Sequence, residues 1–134
     1  MKVVVMGCGR VGSTVARRLD ADGHEVMVLD VDSQSFRRLP DDFGGERLVG
    51  SGIDDRVLEA AGVREADAFL ALTQGDNRNL LAAQMAKHLF GVGTVVTRIY
   101  DPLRAQVFAK LGVRTFSPTT ISADLAIDVL MGKR

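Results

Sequence analysis

Cysteine is nearly absent from this chain. The single thiol, Cys8, has no partner for an internal disulfide, and with only two distant histidines, His24 and His88, it supplies no zinc site of the usual ligand spacing. No metal site is expected, and the chain is expected to be intracellular and cytoplasmic. Proline is scarce too, with 3 residues against 14 glycines, and no low-complexity or disordered tract interrupts the sequence. An excess of one charge is also lacking: Lys plus Arg and Asp plus Glu come to 17 each, so no net field recruits nucleic acid or an anionic membrane surface. Long apolar runs are missing as well. The first six residues are too weakly apolar for a signal sequence, and no stretch approaches the ~20 residues that span a bilayer, so direct membrane insertion is not expected. A length of 134 residues suits one ordinary domain, 1–134, and leaves no room for a two-domain enzyme.

What the chain does contain is alternation. Residues 3–6 form a short β-rich run closed by glycine, as in a strand buried on both faces of a parallel sheet. Val11, Val15, Ala16 and Leu19 follow at helical spacing, Gly23-His24 ends that helix, and 26–29 resume the strand pattern. Beyond this β-α-β unit the pattern predicts a short helix over 33–39, a weak strand over 47–49, a helix over 54–61 and a strand over 68–72. A helix over 74–90 carries Leu80, Leu81, Met85 and Leu89 on one side. A strand over 94–99, a helix over 101–111 with Pro102 in its first turn, a sixth strand over 113–116 and a last helix over about 118–131 complete the series. The fold class predicted is α/β: a doubly wound, Rossmann-like, six-stranded and mainly parallel sheet with helices on both faces.

Gly7-Cys8-Gly9-Arg10-Val11-Gly12 fits the G-x-G-x-x-G fingerprint directly after a strand and at the start of a helix, and Asp30 ends the second strand. Gly7 permits the tight turn, Gly9 lets the backbone approach a pyrophosphate, and Gly12 allows the helix to pack on the strand. Free N–H groups and the positive end of the helix dipole face the phosphates. Val11 belongs to the same turn, and the Arg10 guanidinium beside it could neutralise a pyrophosphate or simply be a solvated helix arginine. Asp30 can accept hydrogen bonds from both adenosine ribose hydroxyls and would repel a 2′-phosphate, so NAD, NADH or an adenine nucleotide is favoured and NADP disfavoured. Its loss is expected to weaken binding with little effect on fold stability. Asp32 either assists or caps a turn. Cys8, next to a helix N-terminus that lowers thiol pKa, suggests a redox sensor, while a small residue that merely fits is the simpler reading.

Taken in order, Gly7 to Gly12, Leu29-Asp30-Val31-Asp32, Gly50-Ser51-Gly52-Ile53-Asp54, Leu72-Thr73-Gln74-Gly75-Asp76-Asn77-Arg78-Asn79, Arg98-Ile99-Tyr100-Asp101-Pro102 and Leu111-Gly112-Val113 resemble the N-terminal nucleotide-binding lobe of the Trk/Ktr regulators of K⁺ transport, the RCK/KTN or TrkA-N family. The resemblance covers essentially the whole chain. Where the family pattern usually has an aspartate after Gly50 and a threonine near Ile53, this chain has Ser51 and Ile53, on the adenine side of the site. The resemblance implies that Ser51, Thr73, Asp76 and Asn77 lie at the ligand crevice, with Asp76 and Asn77 alternatively serving only as helix N-terminal residues. Arg98 faces the ligand phosphates, a neighbouring subunit, or a structural salt bridge.

The implied function is nucleotide sensing, with NAD or NADH first and ADP or ATP next, by a regulatory subunit or domain of a membrane K⁺ transporter or channel. The expected partners are a second copy of the chain, in a homodimer or higher oligomer, and the transporter at the inner face of the membrane. The helix over 118–131 would be the crossover and dimerisation element, and the family's smaller C-terminal ligand lobe is not expected within residues 1–134. A hydride-transfer enzyme needs a substrate pocket and a proton donor beside the nicotinamide, and the cofactor domain fills this chain, so no catalytic residue is expected. The alternatives are the cofactor domain of an NAD-dependent oxidoreductase and the cytosolic domain of a K⁺/H⁺ antiporter.

Overall fold

A computed structural model describes residues 1–134. Its sheet has strands β1 (Lys2–Met6), β2 (Glu25–Asp30), β3 (Glu46–Val49), β4 (Ala68–Ala71), β5 (Thr94–Arg98) and β6 (Arg114–Phe116), in the order β3-β2-β1-β4-β5-β6. Every pairing is parallel, where the sequence predicted a mainly parallel sheet. The helices are α1 (Arg10–Ala21), α2 (Asp55–Ala60), α3 (Asp76–Gln84), α4 (Pro102–Ala109) and α5 (Pro118–Leu130), and residues 33–38 form a 3₁₀ helix.

Alternation along β1 divides the core. Val4 and Met6 join Phe69, Ala71 and Val95 under Leu58 of α2 and Ala82 and Ala83 of α3. Val3 and Val5 join Val26 and Val28 under Ala16 of α1, with Leu39 and Phe43. Both faces of the central strands are therefore buried, which is why 3–6 read as an unbroken apolar run. Met6 stands level with Leu29 on one side and Ala71 on the other. The turns after β1, β2 and β4 thus meet at one sheet edge, where the strand order reverses.

One long helix departs from the sequence reading. The helix predicted over 74–90 is α for Asp76–Gln84 and then a π turn over Met85–Leu89. Its buried face is Asn79, Leu80, Ala82, Ala83 and Ala86, while Leu81 and Leu89 are exposed. Small residues let the helix lie close to the sheet, and the wider π turn shifts the later side chains around the axis. The last helix, α5, has no buried residue at all. No helix is long and apolar enough to cross a membrane.

Candidate functional site

The site begins at the turn after β1. Gly7 has φ +104°, a conformation that disfavours side chains, and its N–H donates to the Leu29 carbonyl at 2.7 Å. A Cβ there would lie 3.0 Å from the Leu72 carbonyl carbon and the Thr73 nitrogen, so the turn sits tightly on the end of β4. Gly12 is closer still to its neighbour: a Cβ would stand 1.7 Å from the Gly7 oxygen. Nothing lies within 4 Å of a Cβ on Gly9. The three glycines therefore divide as turn, open approach and helix packing. Gly9 occupies the N-cap of α1, with no side-chain cap and no acidic residue in the first turn, so the first N–H groups of α1 and the positive dipole end remain unneutralised.

Asp30 serves the turn before it serves any ligand. Its Oδ2 accepts from the Cys8 N–H at 2.8 Å and its Oδ1 from the Asp32 N–H at 2.8 Å. Each oxygen keeps a lone pair for a ribose hydroxyl. The expectation that Asp30 contributes little to the fold is corrected here, because its carboxylate fastens the glycine turn to the end of β2. An Asp30→Ala chain is expected to lose about 1–3 kcal/mol of stability together with affinity, since two backbone donors lose a charged acceptor. Urea denaturation and a binding titration on the same sample check this; unchanged stability would show that water replaces the carboxylate.

A cleft of about 730 Å³ opens over this edge, a size that accommodates a nucleotide. Of the residues predicted from sequence, Gly7, Gly9, Arg10, Val11, Asp30, Ser51, Thr73 and Arg98 line it. Four do not. Gly12 lies beneath the turn, and Asp32 turns its carboxylate to the Gln34 N–H as a cap of the 3₁₀ helix. The Asp76 carboxylate accepts from the Tyr100 N–H at 2.9 Å, and Asn77 Oδ1 accepts from Arg104 at 2.6 Å. Both sit at the start of α3 and are drawn toward α4 rather than to the cleft, because the β5–α4 turn offers donors to Asp76 and Arg104 of α4 offers one to Asn77.

Sequence reasoning missed Ser35, Arg38, Gln74, Arg78 and Tyr100, which also line the cleft. Spacing along the chain carried no signal for Ser35 and Arg38, since the 3₁₀ segment that presents them has no helical apolar period. Arg78 and Tyr100 stood within segments that carried the family resemblance. The lining holds four arginines, Arg10, Arg38, Arg78 and Arg98, against one carboxylate, Asp30. A chain of zero formal net charge thus concentrates positive charge at one edge.

Arg98 makes no salt bridge, one of the three roles considered for it. Buried to 6% exposure, it donates through Nη2 to the Leu72 and Thr73 carbonyls, at 2.7 and 2.8 Å, and lies over the Tyr100 ring at 5.2 Å. Asn79, wholly buried, completes the arrangement by accepting from the Thr73 N–H and donating to the Thr73 and Arg98 carbonyls. The ends of β4 and β5 are thereby locked together beside the glycine turn.

Of the two readings of Cys8, the structure favours the simpler one, a small residue that fits. Burial pushes its thiol upward and the neighbouring Asp30 carboxylate adds to this, outweighing the lowering by Arg38 and Arg47. The sulfur is fully buried, so the low-pKa, accessible thiol that a redox sensor needs is not present. Labelling of the native chain by a thiol reagent at pH 8 is expected to be slower than that of the urea-unfolded chain by at least about 100-fold. Equal rates would return the sensor to consideration.

Comparison with known proteins places this geometry. The family model described as the TrkA-N domain matches residues 3–118. The chain is 50% identical over 124 residues to the Trk system potassium uptake protein TrkA of Streptomyces coelicolor, covering 92% of this chain and 56% of that protein. It is 37% identical over 111 residues to a TrkA homolog of Pyrococcus abyssi, covering 83% and 49% respectively. The chain therefore spans about half the length of the curated relatives it matches. Among solved structures, the Shewanella denitrificans Kef CTD in an AMP-bound form superposes with a TM-score of 0.77 at 26% identity, over 98% of this chain and 80% of that one. The GsuK channel bound to NAD superposes with a TM-score of 0.72 at 19% identity, over 87% and 21%, a likeness of fold.

Proposed function

The chain belongs to the TrkA-N family, and from that premise we propose that it is a nucleotide-sensing regulatory domain, at the cytoplasmic face of a membrane, that controls a K⁺ transporter or channel. The observation that carries this reading is the cleft over the glycine turn, where an uncapped helix N-terminus, Asp30 and four arginines converge. Asp30 and Ser51 take the adenosine end, and Gly7, Gly9, Arg10 and Val11 take the phosphates. Thr73 and Arg98 border the far end of the phosphate path. The AMP-bound form of the Kef CTD supports an adenine nucleotide as the class of ligand. NAD, NADH, ADP and ATP all satisfy the adenosine end; NADP is disfavoured by Asp30. The hydrogen bonds that Asp30 accepts from the Cys8 and Asp32 N–H groups hold its carboxylate in that position.

The role is binding rather than catalysis. A ligand that binds one cleft geometry better than another shifts the population of that geometry, and a transporter attached to the domain senses the shift. α5 supplies self-association, so that two clefts move under one constraint.

The direct test is a thermal shift with NAD, NADH, ADP, ATP and NADP on the purified chain. A ligand at about 100 times its dissociation constant adds about 2.7 kcal/mol, roughly 10 °C for a domain of this size. NAD or ADP should produce such a rise and NADP a smaller one. No rise with any of the five would end the nucleotide reading.

A further inference from the structure

We propose that Asp76 is a positioning residue of the cleft, acting through Tyr100 and Arg98 without touching the ligand; this rests on the nucleotide reading above. Its side chain is 16% exposed and makes three contacts, two with the β5–α4 connection and one with α4 itself. Oδ1 accepts from the Tyr100 N–H at 2.9 Å, Oδ2 accepts from the Asp101 N–H at 3.4 Å, and Arg104 lies 3.9 Å from Oδ2. An ordinary helix-start aspartate satisfies its own first turn; this one spends its oxygens on a turn 24 residues away.

The turn it grips is the far wall of the cleft. The Tyr100 ring lines the cleft and stacks with the buried Arg98 guanidinium, 5.2 Å away. Tyr100's other backbone group is also committed, its carbonyl accepting from Ser117 Oγ at 2.9 Å. With the N–H held by Asp76 and the carbonyl by Ser117, the Tyr100 backbone is fixed on both sides, and its ring lies against the Arg98 guanidinium while Nη2 of that guanidinium donates to the Leu72 and Thr73 carbonyls just past β4. Fixing a long cationic side chain before the ligand arrives removes an ordering cost from binding, and that gain falls on the phosphate end and not on the adenosine end.

The chain provides its own reporter, since Tyr100 is its only tyrosine and there is no tryptophan. Tyrosine anisotropy of the ligand-free chain and calorimetric titration with adenosine and with ADP should be measured for the parent, Asp76→Ala, Asp76→Asn and Asp54→Ala. The last removes the cap of α2, a helix-start aspartate of ordinary kind, and controls for a general loss of stability. In Asp76→Ala the Tyr100 anisotropy is expected to fall toward that of the unfolded chain and ADP affinity to drop about tenfold, with adenosine binding unchanged. Asp76→Asn, whose amide oxygen can still accept from the Tyr100 N–H, should recover most of both. Asp54→Ala should change neither. Unchanged Tyr100 anisotropy in a folded Asp76→Ala chain, or equal losses for adenosine and ADP, would overturn the positioning role. A parent chain that binds neither adenosine nor ADP would overturn the nucleotide reading itself, and the role of Asp76 in binding with it.

Discussion

Replacing Gly12 by alanine is expected to destabilise the domain by at least about 3 kcal/mol, and replacing it by valine to prevent folding. The sign alone is diagnostic, because alanine within a helix ordinarily gains about 1 kcal/mol over glycine. Here the added Cβ would stand 1.7 Å from the Gly7 oxygen and 2.8 Å from the Gly7 carbonyl carbon. These are backbone atoms that cannot rotate away, and Gly7 is itself wedged against the Leu72–Thr73 peptide. To make room, α1 must lift off the turn, withdrawing Ala16 from its buried contacts with Val3, Val5 and Val28. Native stability is only about 5–15 kcal/mol in total, so such a loss leaves little margin. Gly9→Ala is the matched control: its Cβ meets nothing within 4 Å and its φ is −80°, so the chain should melt close to the parent temperature. It should nevertheless bind nucleotide at least about tenfold more weakly, because the methyl group would occupy the space a phosphate needs. Chemical denaturation and nucleotide titration of both variants decide the matter. A stable Gly12→Ala chain, or a Gly9→Ala chain of full affinity, would show that the two glycines do not divide packing and binding between them.

Ending the chain after Ser117 is expected to abolish self-association. The helix removed, α5, carries Ile121, Leu125, Ile127, Val129 and Leu130, each 40–81% exposed, and none of its residues is buried. An isolated helix of 13 residues is marginal in water even with good helix formers, and this one also leaves a broad apolar surface in solvent. Such a helix gains its stability from a partner. The end of the sheet beside it is also incompletely covered: Val96 and Phe116 are only half-buried on the face that α1 covers further along. A second copy placing its α5 there would bury both surfaces at once, in a two-fold arrangement where each chain gives and receives a helix. At tens of micromolar the full chain is expected to scatter light as a dimer or larger, and the shortened chain as a monomer, with a dissociation constant raised by at least about 100-fold. A monomeric full chain, or undiminished association after the truncation, would rule out α5 as the assembly element.

Much of the domain could be read along the chain because its determinants are local. The period-2 and unbroken apolar runs, the helix-breaking glycines and the cap residues Asp54 and Asp101 each act within a few residues, and the strands and helices fell where those signals stood. The glycine fingerprint followed by an acid at the next strand end is likewise local in chemistry, since each position answers a demand of backbone geometry. The register of the parallel strands is the step from there to the site. It brings Gly7, Asp30 and Leu72 level, with Thr73 one residue beyond, because right-handed connections and burial of both apolar faces of the strands leave few other arrangements.

What the sequence by itself determined was the α/β class, the order of elements and the glycine turn with its acid. Only the tertiary structure decided how polar side chains are spent. Asp32, Asp76 and Asn77 were each open to a ligand role or a local structural one; Asp32 caps its own turn, Asp76 ties α3 to the connection before α4, and Asn77 ties it to α4. Arg98, for which ligand phosphates, a neighbouring subunit and a salt bridge were all open, closes the ends of β4 and β5. For Cys8, open to activation by a helix end or to simple fit, burial against the core decided for fit. The reason is common to all of them. A hydrogen-bonding or charged group takes whichever partner lies nearest in space, and burial changes its energy by more than any neighbour along the chain. For Asp76, Asn77 and Arg98 those partners lie more than 20 residues away, brought close by sheet pairing that no local pattern encodes, whereas Asp32 is taken by its own turn.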